Sequence, residues 1–288
     1  MHAGLPSPGI AFAPSFLGRL GRLSARWRAL RERREGQGGA HLVGVGSEFV
    51  GYRPYTPGDD LRGLDWNLLA RFGEAHVRVS RREASERWFI VLDTSASMGV
   101  GRPGKLQRAA EVAIAIASLG ITEKARVSLV RTSDPKPLRI DRMTDLVAAM
   151  RELETWRAQG SEGFSSSFVE RVHAGRQFFI GDFLDVEPSF LAGRVGRGRE
   201  VFALALLAPE EFQPSTRVAA GRQAIWIDAE TGARTPLAVD QRGFEAYEEA
   251  LDRHLESWRT KALRHRAYFR CWSSSVAFER IVEQAFAL

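Results

Sequence analysis

Cysteine is almost absent from this 288-residue chain, whose single copy is Cys271. A lone thiol excludes an internal disulfide framework and fits a reducing compartment. Long hydrophobic runs are missing too. The longest charge-free, mainly apolar helical stretch is "VAIAIASLGIT" (112–122), and a bilayer-spanning helix needs roughly 20 such residues. The N-terminus lacks the charged start and apolar core of a secretory signal. Together these absences lead to the expectation of a soluble, cytoplasmic protein. Lysine is scarce, so arginine supplies nearly all the positive side chains behind the net charge of +6. Acids are interleaved with those arginines, and the aromatic-plus-basic spacing of a nucleic-acid module is missing, so nucleic acid is not an expected partner. His76, His173, His254 and His265 share no ligand spacing, which argues against zinc.

What the chain does contain is a hydrophobic fraction of 44%, ordinary for a globular protein. Residues 1–15 carry Gly, Pro and small side chains without periodicity and read as a mobile tail. Over 16–36, Phe16, Leu20, Leu23, Trp27 and Leu30 recur at helical spacing with arginines on the other faces. The expected role is an amphipathic helix packed on its own domain; the alternative is a peripheral helix drawn to anionic lipid or to an acidic partner. "GQGG" (36–39) ends the pattern, so residues 1–40 form one unit and 41–86 a second segment packed on the main domain, 87–288.

From Arg87 the pattern alternates. "WFIVLD" reads as a strand buried on both faces, followed by a helix at about 106–119 and a strand at "RVSLV". An edge segment at "PLRI", a helix through "DLVAAMRELETW" and another at "SSFVERVHA" come next. Strands at "QFFIGD" and "VFALALL" then flank a helix near "SFLAGRV". This order predicts a mostly parallel sheet with helices on both faces. "AIWIDAETGARTPLAV" (224–239) predicts an inserted hairpin. A long helix, the strand-like "AYFRCW" and a closing helix finish the chain, with Cys271 expected as a buried structural thiol.

In an open parallel sheet, ligands collect beyond the carboxyl ends of the strands. Asp93 ends the "WFIVLD" strand, and the D-x-S-x-S spacing of Asp93, Ser95 and Ser97 aims three oxygen groups at one side of an extended loop. "QFFIGD" delivers Asp182 to an equivalent strand end, with Asp185 close behind. Carboxylate and hydroxyl oxygens are hard ligands that suit Mg²⁺ or Mn²⁺. The competing reading makes Asp93 and Asp182 helix caps; the repeated placement favours the metal. In "GSEFVGYRPYTPGDDLRGLDWNLLAR" (46–71), Asp59, Asp60 and Asp65 alternate with Arg53, Arg62 and Arg71. Acids so matched stay ionised, which predicts a compact loop held by ion pairs, anchored on the sheet by Leu61 and Trp66.

"DTSASM" resembles the metal-ion-dependent adhesion site of von Willebrand factor A domains, and the 46–71 segment resembles the signature of the bacterial DUF58 family, R-x-Y-x-P-G-D-D-x-R-x-[IL]-D-W. The resemblance covers roughly 42–288. It implies a von Willebrand factor A-like α/β fold with an N-terminal extension, a divalent cation, and a protein that binds others without transforming a substrate. It also implies a MoxR-type AAA+ ATPase as partner, together with a client protein that offers an acidic residue. Asp93, Ser95 and Ser97 match the first motif and Asp182 the later aspartate. Where the family has Gly-x-Thr, this chain reads "GSEGFSSSF", so Ser165 stands in as the hydroxyl ligand, with Ser161 and Ser166 as alternatives. Two other functions compete: a metal-independent scaffold with a vestigial site, and a Mg²⁺-dependent hydrolase or phosphotransferase. A haloacid-dehalogenase-type enzyme needs D-x-D, where this chain has Ser95, and a serine hydrolase needs a Gly-x-Ser-x-Gly elbow that "TSASM" lacks. No enzymatic activity is expected.

Overall fold

The computed structural model describes residues 9–36, 48–56, 65–81, 86–164, 175–196, 199–214 and 222–286. Helix α1 (Phe16–Gly36) comes first, followed by an antiparallel ribbon of β1 (Glu48–Pro54) and β2 (His76–Arg81) around the short helix α2 (Trp66–Phe72). The chain then enters its main sheet through β3 (Arg87–Leu92), crosses over α3 (Lys105–Thr122) to β4 (Arg126–Arg131), and turns back into β5 (Asp134–Ile140). After α4 (Met143–Leu153) come β6 (Arg176–Gly181), β7 (Glu200–Leu207) and the single turn α5 (Pro209–Phe212). A separate hairpin of β8 (Arg222–Ile227) and β9 (Arg234–Val239) precedes α6 (Gln241–His265), β10 (Tyr268–Ser273) and α7 (Phe278–Ala285).

The main sheet has six strands in the order β10-β7-β6-β3-β4-β5. All neighbours run parallel except the edge strand β5, which returns antiparallel from β4. The expected α/β architecture with a mostly parallel sheet is therefore present. Strand alternation explains the two cores. Trp88, Ile90 and Leu92 point to one face, where they meet α1, α3, α4 and α7. Val91 points to the other, with Phe179, Ala203 and Trp258 of α6. The central strands thus read as continuous apolar runs because neither face meets water.

Helix α3 is apolar nearly all round, as a helix enclosed by the fold must be. Gly120 lets it press on the sheet: a Cβ there would lie 2.5 Å from Val127 Cγ2 and 3.0 Å from Trp88 Cε3. Its N-terminus opens beside the loop that follows β3, so the packing of α3 fixes that loop's far end.

Several expectations need correction. Residues 9–15 do not form a mobile tail: Ile10 is buried, the Ala11 amide donates to Gln107 Oε1 at 2.8 Å, and Phe12 packs against Phe16 with the rings tilted and their centroids 4.9 Å apart. Residues 1–8 lie outside the described residues. The helix expected near "SFLAGRV" is only a 3₁₀ turn, Pro188–Leu191, opened by its proline and followed by Gly193 at φ +75°. Trp66 does not anchor on the sheet; it is 63% exposed at the head of α2, where Asp65 accepts the Leu68 amide at 3.1 Å. Leu61 and the remainder of 57–64, like the helix expected at "SSFVERVHA", fall outside the described residues. The inserted hairpin is present, its turn closed by Asp228 Oδ1 accepting the Thr231 amide at 2.6 Å. Cys271 is half-buried, and desolvation pushes its thiol up to about 12, which keeps it in the thiol form.

Helix α1 packs against α3 and α7 through Phe16, Leu20 and Leu23. Much of its arginine stripe meets acids of the same fold: Arg19 with Glu279, Arg26 with Glu283 and Arg31 with Glu123. No helix among the described residues is long and apolar enough to cross a membrane.

Candidate metal centre

The chain enters the main sheet at its middle, builds outward through β4 and β5, then returns to add β6, β7 and β10 on the other side of β3. Crossovers leaving β3 and β6 diverge, and the gap between their carboxyl ends is where such sheets bind ligands. Asp93 follows β3 and Asp182 follows β6. The Asp93 amide donates to the Ile180 carbonyl at 2.9 Å, extending the ladder past β3 and setting the two aspartates side by side. Gly181 makes this approach possible, since a Cβ there would lie 2.7 Å from the Asp93 Cβ.

Both aspartates are buried, at 3% and 4% exposure. Asp93 Oδ1 accepts the Ser95 amide at 2.9 Å and the Thr132 hydroxyl at 3.4 Å. A Cβ on Gly163 would lie 3.9 Å from its Oδ2. The Ser95 and Ser97 hydroxyls converge at 3.0 Å. Asp182 Oδ1 accepts the Leu184 amide at 3.3 Å, and Oδ2 accepts from Lys105 Nζ at 2.9 Å. Lys105, with no exposure at all, donates also to Glu211 Oε1 at 2.6 Å. Phe183, directly after Asp182, holds φ +60°, a left-handed conformation costly for a bulky residue. Its ring is locked against Phe164 and Trp258, and its carbonyl bonds to His254 Nε2 at 2.9 Å. Packing thus imposes the turn that aims Asp182.

The electrostatics are unbalanced. Burial first, and the Asp182 charge second, push the Asp93 carboxyl up to about 7, against the lowering effect of the Ser95 hydrogen bonds. Burial also raises Glu211, more than Lys105 lowers it. Burial would depress the Lys105 ammonium, but Asp182 and Glu211 outweigh it and hold the group above its ordinary value. With Asp93, Asp182 and Glu211 all ionised, the single ammonium of Lys105 would leave a formal shortfall of two positive charges. A divalent cation matches that shortfall, and oxygen-only donors match Mg²⁺ or Mn²⁺. The donors include only two strand-end acids, and among the described residues no group of three or more His, Cys, Asp or Glu side chains could hold a metal. A cation at this rim would have to draw on the Ser95 and Ser97 hydroxyls as well.

Four expected residues, Asp93, Ser95, Ser97 and Asp182, come together on this rim. Ser165 and Ser166 fall outside the described residues, while Ser161 is exposed. Thr132, Lys105 and Glu211 were not foreseen. Thr132 carried a signal, since it follows β4 at the same rim of the same sheet. Lys105 carried another: a cation at the first position of a helix opposes the macrodipole and needs a special reason. Glu211 looks like an ordinary first-turn acid of α5, where its Oε2 accepts the Ala208 amide at 2.6 Å. Only tertiary structure brings its second oxygen to Lys105.

Residues 51–257 match the family described as "Protein of unknown function DUF58", and the chain belongs to that family. Uncharacterized proteins of Mycobacterium bovis and of Mycobacterium tuberculosis are 40% identical to it over 60 residues, covering 21% of this chain and 19% of theirs. The chain therefore matches only about a fifth of the length of these relatives. A solved pilus adhesin, SpaC from Lactobacillus rhamnosus GG, gives a TM-score of 0.24 at 13% identity, covering 71% of this chain and 27% of the adhesin. A likeness that weak carries no argument.

Proposed function

We propose that the rim between β3 and β6 is a divalent-cation site through which this DUF58 chain binds other proteins, without catalysing a reaction. One observation carries the reading: Asp93 and Asp182 are buried side by side at the sheet's switch point, short of positive charge, with the Ser95 and Ser97 hydroxyls on the same rim. The sheet order and the D-x-S-x-S loop support a von Willebrand factor A-like site. In this reading Asp93, Ser95, Ser97 and Asp182 hold Mg²⁺ or Mn²⁺, with a hydroxyl from the 161–166 segment. When bound, the ion supplies an open coordination position for an acidic side chain of a client. A MoxR-type AAA+ ATPase is the partner implied by the family resemblance, and assembly or remodelling of client proteins is the joint task.

Site chemistry supports a binding role over an enzymatic one. The Ser95 and Ser97 hydroxyls bond to each other, and among the described residues no histidine bonds to either. A nucleophile needs an adjacent base. His254, on α6, is engaged by the Phe183 carbonyl at 2.9 Å.

The buried Lys105–Asp182 pair favours a second reading, a metal-independent scaffold in which the ammonium does the work of an ion. Titration calorimetry with Mg²⁺ and Mn²⁺ on the wild type and on Asp93→Ala separates the two. Binding in the wild type that vanishes in the variant supports the cation site. Absence of heat in both leaves the scaffold. Capture of partners from lysate with and without chelator then asks whether association follows the ion.

A further inference from the structure

Lys105 is the least expected member of the rim. Its ammonium is buried completely, 2.9 Å from Asp182 Oδ2 and 2.6 Å from Glu211 Oε1. It cannot withdraw into water. Its backbone is held at the start of α3, where the Lys105 amide donates to the Val100 carbonyl at 3.2 Å, and its ammonium bonds both carboxylates at once. Glu211 in turn ties the ammonium to a specific piece of backbone. Its Oε2 accepts the Ala208 amide at 2.6 Å, and its carbonyl accepts the Tyr247 hydroxyl of α6 at 2.9 Å.

We infer that Lys105 is the resident counter-ion of Asp182, and that a divalent cation entering the rim drives its ammonium off Asp182 and onto Glu211, so that ion occupancy is felt at the Pro209–Phe212 turn. The inference rests on the cation reading given above and adds regulation to it. Two cations cannot share one carboxylate oxygen in a dry site without strong mutual repulsion. Glu211 is the only other acceptor bonded to the ammonium among the described residues. Concentrating the lysine's charge on one oxygen of Glu211 weakens that carboxylate as acceptor of the Ala208 amide. The turn that follows β7 is therefore the element that reports the ion. It lies beyond the carboxyl end of a strand neighbouring β6, on the rim where a partner protein docks in the proposed function.

The test uses the full chain with Mg²⁺ alone at mildly alkaline pH. Calorimetry on Lys105→Met should show Mg²⁺ binding tighter by about tenfold or more, and on Glu211→Gln weaker by a similar factor, since a 1.4 kcal/mol change is tenfold. Simple charge changes would give the same two signs, so the deciding measurement is on the wild type. Amide hydrogen exchange at Ala208 and Glu211 should change several-fold when Mg²⁺ is added, and Tyr247→Phe should bind Mg²⁺ as the wild type does. This readout stands even where Lys105→Met does not fold. A wild type that binds Mg²⁺ while exchange at Ala208 and Glu211 stays constant overturns the ammonium transfer and leaves the cation site intact. A wild type with no Mg²⁺ binding overturns both.

Discussion

Gly181 lies directly beneath Asp93: a Cβ on the glycine would fall 2.7 Å from the Asp93 Cβ and 2.7 Å from Phe164 Cε2. The glycine has an ordinary strand conformation, so its role is space. One methyl group would push either the aspartate or the phenylalanine out of place. Because Phe164 also packs on Phe179 and Phe183, the aspartate is the softer neighbour. Gly181→Ala is expected to lose about 1–3 kcal/mol of stability, as overpacked cores do, and to weaken Mg²⁺ binding as well. Urea midpoints and calorimetry check the two effects; an alanine tolerated without change in either would contradict the close packing.

The carboxyl of Asp93 makes stability depend on pH. Its native value is raised from 3.8 to about 7, so the folded chain binds this proton more tightly than the unfolded one. The stability it contributes is fully present below about pH 4 and is lost as pH rises through about 7, at up to about 1.4 kcal/mol per unit. Ion-free protein is therefore expected to have a lower urea midpoint at about pH 8 than at about pH 5, as far as this group governs the change. Asp93→Asn should flatten that fall. Mg²⁺ requires the carboxylate, so its affinity should climb over the same window and then level off. A midpoint profile identical in wild type and Asp93→Asn would remove the basis for this expectation.

Reading the sequence alone was most successful where local pattern and tertiary role coincide. β3, β6 and β7 are apolar over most of their length because both their faces are covered, and the aspartates that follow β3 and β6 announce the rim by position. α1 showed its buried stripe through Phe16, Leu20 and Leu23. Legibility ended where meaning depends on contacts distant in sequence. Lys105 and Glu211 are 106 residues apart, and neither belongs to a motif. Trp66 misled for a related reason: an aromatic is usually sought in a core, but here it heads a short capped helix with its ring outward. Residues 9–15 misled in the opposite sense, since Gly and Pro in a terminal segment say nothing about whether Ile10 and Phe12 find a partner surface.

Removing the ammonium should be more damaging than removing an exposed charge. Lys105→Met leaves Asp182 and Glu211 buried without their cation, which for a broken buried pair costs about 3–5 kcal/mol. The penalty should appear in ion-free buffer and shrink when Mg²⁺ is supplied, because a bound ion stabilises the folded state by mass action. Thermal melts with and without Mg²⁺ measure both. A variant as stable as the wild type in ion-free buffer would show that Lys105 is not the counter-charge its geometry implies.

Helix α1 offers the cleanest separation of packing from charge. Leu23 is 2% exposed on the face toward α3 and α7, whereas the Arg26 side chain is 69% exposed although it reaches Glu283 at 2.5 Å. Truncating a buried leucine costs transfer free energy plus a cavity, about 2–5 kcal/mol. An exposed ion pair is screened and entropically costly to hold, and contributes under about 1 kcal/mol. Leu23→Ala should therefore lower the urea midpoint clearly while Arg26→Ala barely moves it, and added salt should erase what difference Arg26→Ala makes. The reverse ranking would mean that α1 is held by its arginines and can leave the surface of α3 as a charged arm; the ranking expected here makes it a fixed part of the core.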